Sequence, residues 1–400
     1  MILRFRYRPI LALTAVLLLT SGQIEAREAP EASLIIVGPG DPLYTYWGHI
    51  GIAIGEDFYD FGNFSFHSDH FYSDFAMGRM LYLGMRTPTD LFLAYSMTED
   101  RDLYVYPLNL GPEELELLDS RLREWMLPEN REYLYDYFLN NCSTIIRDIL
   151  NEVTGGELKK ESAEWQGVSF RQRARTGAHQ SFGAEVLLHF LLGPAQDKPI
   201  DGWELMFLPQ AVADIAVETE YRGADGRTRI LAGEPMILKE STRKPVPSQP
   251  RTLWPWLLLV GILASIGYAA AANLDDPKRK GRIIGRIFRT LVVLGVGLPG
   301  AVLGFLMVFT DHAAAYSNLN IGPALPTVLL GIIPIWMAGR RSEVWLSWIW
   351  TANLLGLAVV ILLRLTGLNI QDAGAFWALY APVTLICSRP GLWIRDRLTQ

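Results

Sequence analysis

Half of the 400 residues are hydrophobic, a share too high for an ordinary water-soluble protein of two or three units. The formal net charge of −6 hides a split. Residues 27–252 carry 21 Lys and Arg against 35 Asp and Glu, whereas residues 253–400 hold several long apolar runs. A section so acidic repels a phosphate backbone, which excludes nucleic acid as a partner.

The N-terminus reads as a targeting segment. Arg4, Arg6 and Arg8 precede a short apolar core, and Ile24-Glu25-Ala26 is a tolerable cleavage site. Residues 1–26, cleaved or kept as an anchor, place residues 27–252 outside the cytoplasm. No cysteine lies near that site, so the protein is not itself a lipoprotein.

The exported section opens with a strand over residues 33–37 and a polar loop. Residues 47–54 then read as a strand in which His49, Gly51 and Ala53 share a face, the small residues leaving room beside the imidazole. Gly55-Glu56-Asp57 turns the chain into a second strand over residues 58–63. In such a hairpin Asn63 lies roughly opposite His49 and Asp60 is the nearest acid, although a slip of one residue alters both. By itself His49 reads more readily as a satisfied core histidine than as a functional one. A short helix around Phe71, Phe75 and Met77 follows, then a strand over residues 80–85 and a helix starting at Pro88-Thr89. Residues 103–106 form a strand, and Gly111-Pro112-Glu113-Glu114 begins a helix with acids in its first turn.

The stretch around Asn141-Cys142-Ser143-Thr144 carries the sharpest chemical signal. From Cys142 onward, Ile145, Ile146, Ile149, Leu150 and Val153 fall at the spacing of a helix that buries one face. Asn141 suits the N-cap and Gly155-Gly156 the stop. Cys142 then sits where unpaired N–H groups and the helix dipole favour a negative sulfur. The chain has two cysteines, and the other, Cys387, lies far along in an apolar run. An unpaired cysteine in an oxidising compartment is a liability unless it has a use, which points to a reactive thiol. The same residue also reads as a small buried side chain heading the apolar stripe.

Beyond it, Arg171, Arg173 and Arg175 read as a solvated basic face, residues 184–192 as a helix and residues 228–238 as a strand. Strands and helices mix without a βαβ rhythm, so the fold class is α+β. His67, His70, His179 and His189 lack metal-ligand spacing. The Pro-rich stretch 240–252 is a linker. Five apolar segments follow, at about 253–272, 288–309, 322–338, 344–363 and 373–388, each near the ~20 residues of a spanning helix. Lys278, Arg279, Lys280 and Arg282 follow the first, Arg340 and Arg341 the third, and Arg389, Arg395 and Arg397 the fifth. The alternate loops lack Lys and Arg. The positive-inside rule therefore puts residues 27–252 outside and the tail 389–400 in the cytoplasm. At the outer ends, His312 with Thr310-Asp311, Asn318, Asn320 and Arg364 form a polar rim able to hold a lipid head group. They read equally as interfacial loop residues and a snorkelling arginine.

Together, Gly48-His49…Tyr59-Asp60-Phe61-Gly62-Asn63-Phe64 and Asn141-Cys142-Ser143-Thr144…Arg147-Asp148 resemble the exported N-terminal domain of Lnb, a family of bacterial lipoprotein N-acyltransferases. The Thr310-Asp311-His312…Asn318-Leu319-Asn320 stretch resembles the outer loop of that family's five-helix membrane domain. The resemblance implies a permuted papain-like fold over residues 27–239, of the NlpC-type and lecithin:retinol acyltransferase kind, and a five-helix transmembrane domain over 253–388. It implies an inner-membrane protein with a periplasmic catalytic domain. Cys142 is then the nucleophile and His49 the base, with Asp60 or Asn63 as the third member. His312, Asn318, Asn320 and Arg364 lie near the lipid. The acyl donor is a membrane phospholipid, the acceptor is the N-terminal amine of bacterial lipoproteins, and no metal or nucleotide cofactor is needed. Two other classes remain open: a cell-wall cysteine peptidase or amidase, and a non-catalytic membrane protein that binds lipid or a partner.

Overall fold

Short runs of β-branched and aromatic residues make the strands of the exported section, as expected for pleated, half-buried surfaces. The computed structural model describes residues 31–64, 70–274, 281–337 and 340–388. The targeting segment 1–26, His67, Lys278, Arg279, Lys280 and the tail with Arg389, Arg395 and Arg397 lie outside the described residues.

In chain order come β1 (Ala32–Val37), β2 (His49–Ile54), β3 (Asp57–Asn63), α1 (Phe71–Met77), β4 (Leu81–Pro88), α2 (Thr89–Ser96), β5 (Leu103–Pro107), α3 (Pro112–Trp125) and β6 (Glu132–Leu134). Then follow α4 (Cys142–Val153), α5 (Glu157–Glu161), β7 (Trp165–Ser169), α6 (Phe170–Gly177) and α7 (Phe182–Leu191). The section closes with β8 (Pro199–Asp201), α8 (Gly202–Leu205), α9 (Pro209–Ala216), β9 (Glu220–Arg222), β10 (Thr228–Ile230) and β11 (Met236–Lys239). The single strand expected over 228–238 is thus two, and β11 joins the edge of the main sheet.

That sheet is antiparallel throughout, in the order β11-β5-β1-β2-β3-β4-β6. One face carries Leu34, Ile36, Ile50, Ile52, Tyr59 and Phe61 and is covered by α3, α4 and α9. The other, with Ile35, Val37, Ala53 and Phe58, lies under α2. With both faces buried at the centre of the sheet, β1 and β2 read as nearly continuous apolar sequence. The β2–β3 pairing runs from Ile54↔Asp57 to Gly51↔Asp60, and β3 is irregular between Asp60 and Asn63. The room expected at Gly51 is filled by the Phe58 ring, 2.3 Å from where a Cβ would stand.

The basic cluster is not a solvated face. Arg171 and Arg175 are 1% and 5% exposed. Arg171 pairs with Asp197 at 2.7 Å and donates to the carbonyls of His189, Leu192 and Gly193, while Arg175 meets the buried Glu185. The guanidinium fork serves here to tie α6 to the end of α7. The stretch 240–252 is irregular but strapped down: Thr242 bonds Asp100, and Arg243 pairs with Asp41.

The apolar part contains α10 (Trp254–Asn273), α11 (Arg282–Phe309), α12 (Ile332–Trp336), α13 (Arg340–Leu365) and α14 (Gly374–Cys387). Among the described residues, four helical stretches are long and apolar enough to cross a membrane: α10, α11, Leu319–Trp336 and most of α13. The expected third span is not a continuous α-helix. It runs through 3-10 turns at Leu319–Ile321 and Pro326–Gly331 into α12, because Pro323, Pro326 and Pro334 cannot donate backbone hydrogen bonds. Close backbone approach compensates, since a Cβ on Gly356 would lie 2.3 Å from the carbonyl oxygen of Gly322. The expected fifth span is α14, a helix of 14 residues. The bundle core gathers Tyr268, Val293, Leu303, Val328, Trp350 and Phe376, and Phe190 of α7 packs into it.

Candidate active site

α4 begins where the sequence pattern placed it, and its start is locked more firmly than one N-cap requires. Asn141 accepts from the N–H groups of Ser143 and Thr144 at 2.8 and 3.0 Å, and the Thr144 hydroxyl accepts from Asn141 N–H. This is a reciprocal capping box. The Asn141 amide nitrogen donates to the carbonyls of Tyr137 and Phe207. Among the described residues, no acceptor is bonded to the N–H of Cys142, which stays free at the helix end. Cys142 is half-buried, and both cysteines are free thiols.

His49 opens β2. Its Nε2 lies 2.8 Å from Asp60 Oδ2, and Asn63 Nδ2 donates to Asp60 Oδ1 at 3.1 Å. Asp60 reaches the imidazole because it pairs with Gly51 and so projects on the face that His49 shares. Asn63 touches Asp60 rather than the ring. Gly62 stands between imidazole and thiol. A Cβ there would lie 3.6 Å from Cys142 Cβ and 4.0 Å from His49 Cε1, and its φ of +99° suits glycine. Burial works against a charge on His49, but hydrogen bonds to Asp60 and to Cys142, with their negative charges, outweigh it and push its pKa up to about 10. With Nε2 held by Asp60, Nδ1 is left to face the sulfur.

A wall of tyrosines that sequence reasoning did not single out completes the site. Burial, with the negative charge at Cys142, lifts Tyr82 to about 12 and raises Tyr133 and Tyr135, so all three keep their protons at neutral pH. Only their position in the fold reveals them. A surface cleft of about 500 Å³ lies elsewhere, between Tyr59, Arg86, Arg123 and Arg131, and neither Cys142 nor His49 lines it. Among the described residues no three His, Cys, Asp or Glu side chains gather as metal ligands.

Two family models match the chain: the Lnb N-terminal periplasmic domain over residues 24–174 and the Lnb transmembrane domain over residues 249–395. The chain belongs to the Lnb family. No curated protein and no solved structure matched it. Lnb membership makes it a membrane-bound enzyme of lipoprotein processing with a periplasmic N-terminal domain, and the Cys142, His49 and Asp60 constellation lies inside the matched periplasmic segment.

The periplasmic domain rests on the loop after α11. Asp311 N–H donates to Met77 O at 2.8 Å, Arg79 pairs with Asp311 at 2.6 Å, and His312 Nε2 lies 3.0 Å from Phe75 O. These bonds put that loop on the periplasmic side of the Lnb membrane domain. The His312 ring also stacks on Tyr137, four residues before Asn141. Asn318 and Asn320 do not line an open rim. They are 1% and 0% exposed, and their amide nitrogens donate to the last carbonyls of α7, on Phe190, Leu191 and Leu192. Their amide nitrogens are spent on joining the two domains, while Asn320 Oδ1 is buried without a partner among the described residues. Arg364 is exposed in the last turn of α13.

Proposed function

We propose that this Lnb protein moves an acyl chain from a membrane phospholipid to the N-terminal amine of a diacylglyceryl-cysteine lipoprotein, through a thioester on Cys142. The observation that carries the reading is Cys142 at a capped helix head, facing an imidazole that Asp60 holds. In the first half-reaction the sulfur attacks the ester carbonyl. A C–S bond forms, the C–O bond breaks, and His49 passes its proton to the departing glycerol oxygen, releasing a lysophospholipid. In the second, the lipoprotein amine attacks the thioester. An N–C bond forms, the C–S bond breaks, and His49 takes the amine proton as the sulfur leaves as thiolate. The free N–H of Cys142 is the donor for the oxyanion in both halves. Asp60 orients the ring and steadies its charge, and Asn63 fixes Asp60.

The order His then Cys, with the Cys helix packed on the sheet that bears the His, supports a permuted papain-like domain over residues 27–239. Residues 253–388 then form five spans in the inner membrane, with α14 as the shortest and the tail in the cytoplasm. A membrane-fused site suits two lipid substrates, whereas a cell-wall peptidase needs one anchor at most. Mass spectrometry of lipoprotein N-termini from cells with the protein, without it and with Cys142→Ser tests the reading. N-acylation present only with the parent protein is the expected result. Unchanged lipoproteins together with altered peptidoglycan peptides would instead establish the peptidase.

A further inference from the structure

α1 is a seven-residue helix with no buried residue, and it exposes Tyr72 (81%) and Phe75 (53%). Its C-terminal end is bonded to Asp311 and His312, which come directly after Phe309, the last residue of α11. Val308 and Phe309 are 70% and 65% exposed on a helix apolar enough to cross the membrane, so their surroundings are lipid. α1 is therefore pinned where α11 leaves the bilayer, the level at which aromatic rings settle.

From α1, ring contacts lead to the thiol. Phe75 stacks on Phe71 at 6.3 Å, Phe71 on Phe64 at 6.0 Å, and Phe64 meets Tyr82 at 5.1 Å. Tyr82 stacks on Tyr135 at 4.1 Å, and Tyr135 meets Tyr137, which stacks on His312. His312 bonds back to Phe75. The contacts thus close on themselves, with the membrane boundary at one side and the tyrosines beside Cys142 at the other. Leu139, 69% exposed, continues the apolar surface three residues from the thiol.

We propose that this aromatic rim is the seat of a phospholipid acyl chain that leaves the periplasmic leaflet at α1 and lays its ester against Cys142. The proposal deepens the acyl-transfer reading and rests on it for the final step, but occupancy of the rim by lipid can be measured apart from any chemistry. The full-length Cys142→Ala protein is placed in vesicles of phosphatidylethanolamine and phosphatidylglycerol that carry a phospholipid with a diazirine near its acyl carbonyl. After irradiation, peptides covering residues 71–82 and 135–139 should carry lipid. In Tyr72→Ser/Phe75→Ser on the same background, the yield there should fall ~10-fold or more, because two apolar side chains no longer hold the chain. Labels confined to the membrane helices, or an unchanged yield in the double variant, would overturn the seat. In parallel, the Cys142 protein is incubated with the same vesicles. Rim labelling with no thioester on Cys142 would sink the acyl-transfer reading while leaving lipid on the rim; a thioester without rim labelling would do the reverse.

Discussion

Cys142 depends on three neighbours that differ in kind: Asn141 fixes its helix, His49 faces its sulfur, and Gly62 leaves the space between them. Asp60→Asn keeps the shape of the imidazole's partner but removes its charge. Turnover should fall ~10²–10⁴-fold, the range of positioned acid–base catalysis. Asn63→Ala, one contact further out, should cost less; an equal loss in a kinetic comparison would mean that Asn63 touches the reacting groups. Gly62→Val should stop turnover through both its φ of +99° and the intrusion of its side chain, with alkylation of Cys142 slowed in step. The charge on His49 also has a signature in stability. Its pKa rises on folding from 6.5 to about 10, so its contribution is fully present below about pH 6.5 and is lost as pH climbs toward about 10. The difference in unfolding midpoint between the parent and His49→Gln should therefore be constant at low pH and shrink across that window. A difference that widens above neutral pH would contradict the assignment.

Elements show what periodicity can and cannot reveal. α4 was legible because its apolar spacing, its cap and its glycine stop all agree, and such consistency resists a misreading. The strands were legible too, but the β2–β3 register was not. A slip of one residue leaves the apolar count unchanged yet decides whether Asp60 shares the face of His49. The partner of the imidazole therefore needed the structure. Arg171 and Arg175 misled for a different reason: charge is visible in sequence, whereas the buried carbonyls and acids that satisfy it come from α7 and Asp197, distant in the chain. The tyrosines beside Cys142 come from β4 and the β6 region and carry no local signal at all. Two measurements test the elements. Asn141→Ala removes the side-chain half of the capping box, the acceptor of the Ser143 and Thr144 N–H groups, together with the two bonds to Tyr137 and Phe207, and should destabilise the domain by ~1–2 kcal/mol or more in chemical unfolding. Arg171→Ala leaves the buried Asp197 carboxylate without its guanidinium and takes one donor from the carbonyls of His189, Leu192 and Gly193, and should cost ~3–5 kcal/mol, with Arg171→Lys recovering little because it lacks the fork.

The two domains of the molecule are joined by groups that each needs for its own completion. The last carbonyls of α7 have no intrahelical donor, and the amides of Asn318, Asn320 and Gln371 supply one from the membrane side. Asn318 and Asn320, read in sequence as part of a lipid-binding rim, belong to this joint, whereas His312 stacks on Tyr137 on the Cys142 side. Asn318→Ala should loosen the joint and make the strap over 240–252 more sensitive to protease, while leaving alkylation of Cys142 at the parent rate. Protection equal to the parent's would show that the joint is held elsewhere. At this scale the account has one central claim, that a thiol in the periplasmic domain is acylated directly by lipid of the membrane to which the domain is fused. The most direct test is to incubate the purified full-length protein with phospholipid vesicles and no acceptor, then determine the mass of the Cys142 peptide before and after hydroxylamine. The account predicts one acyl chain on Cys142, removed by hydroxylamine, with lysophospholipid released in equal amount. A Cys142 peptide that stays unmodified while the same preparation N-acylates an added lipoprotein, or a Cys142→Ser protein that transfers at the parent rate, would contradict it.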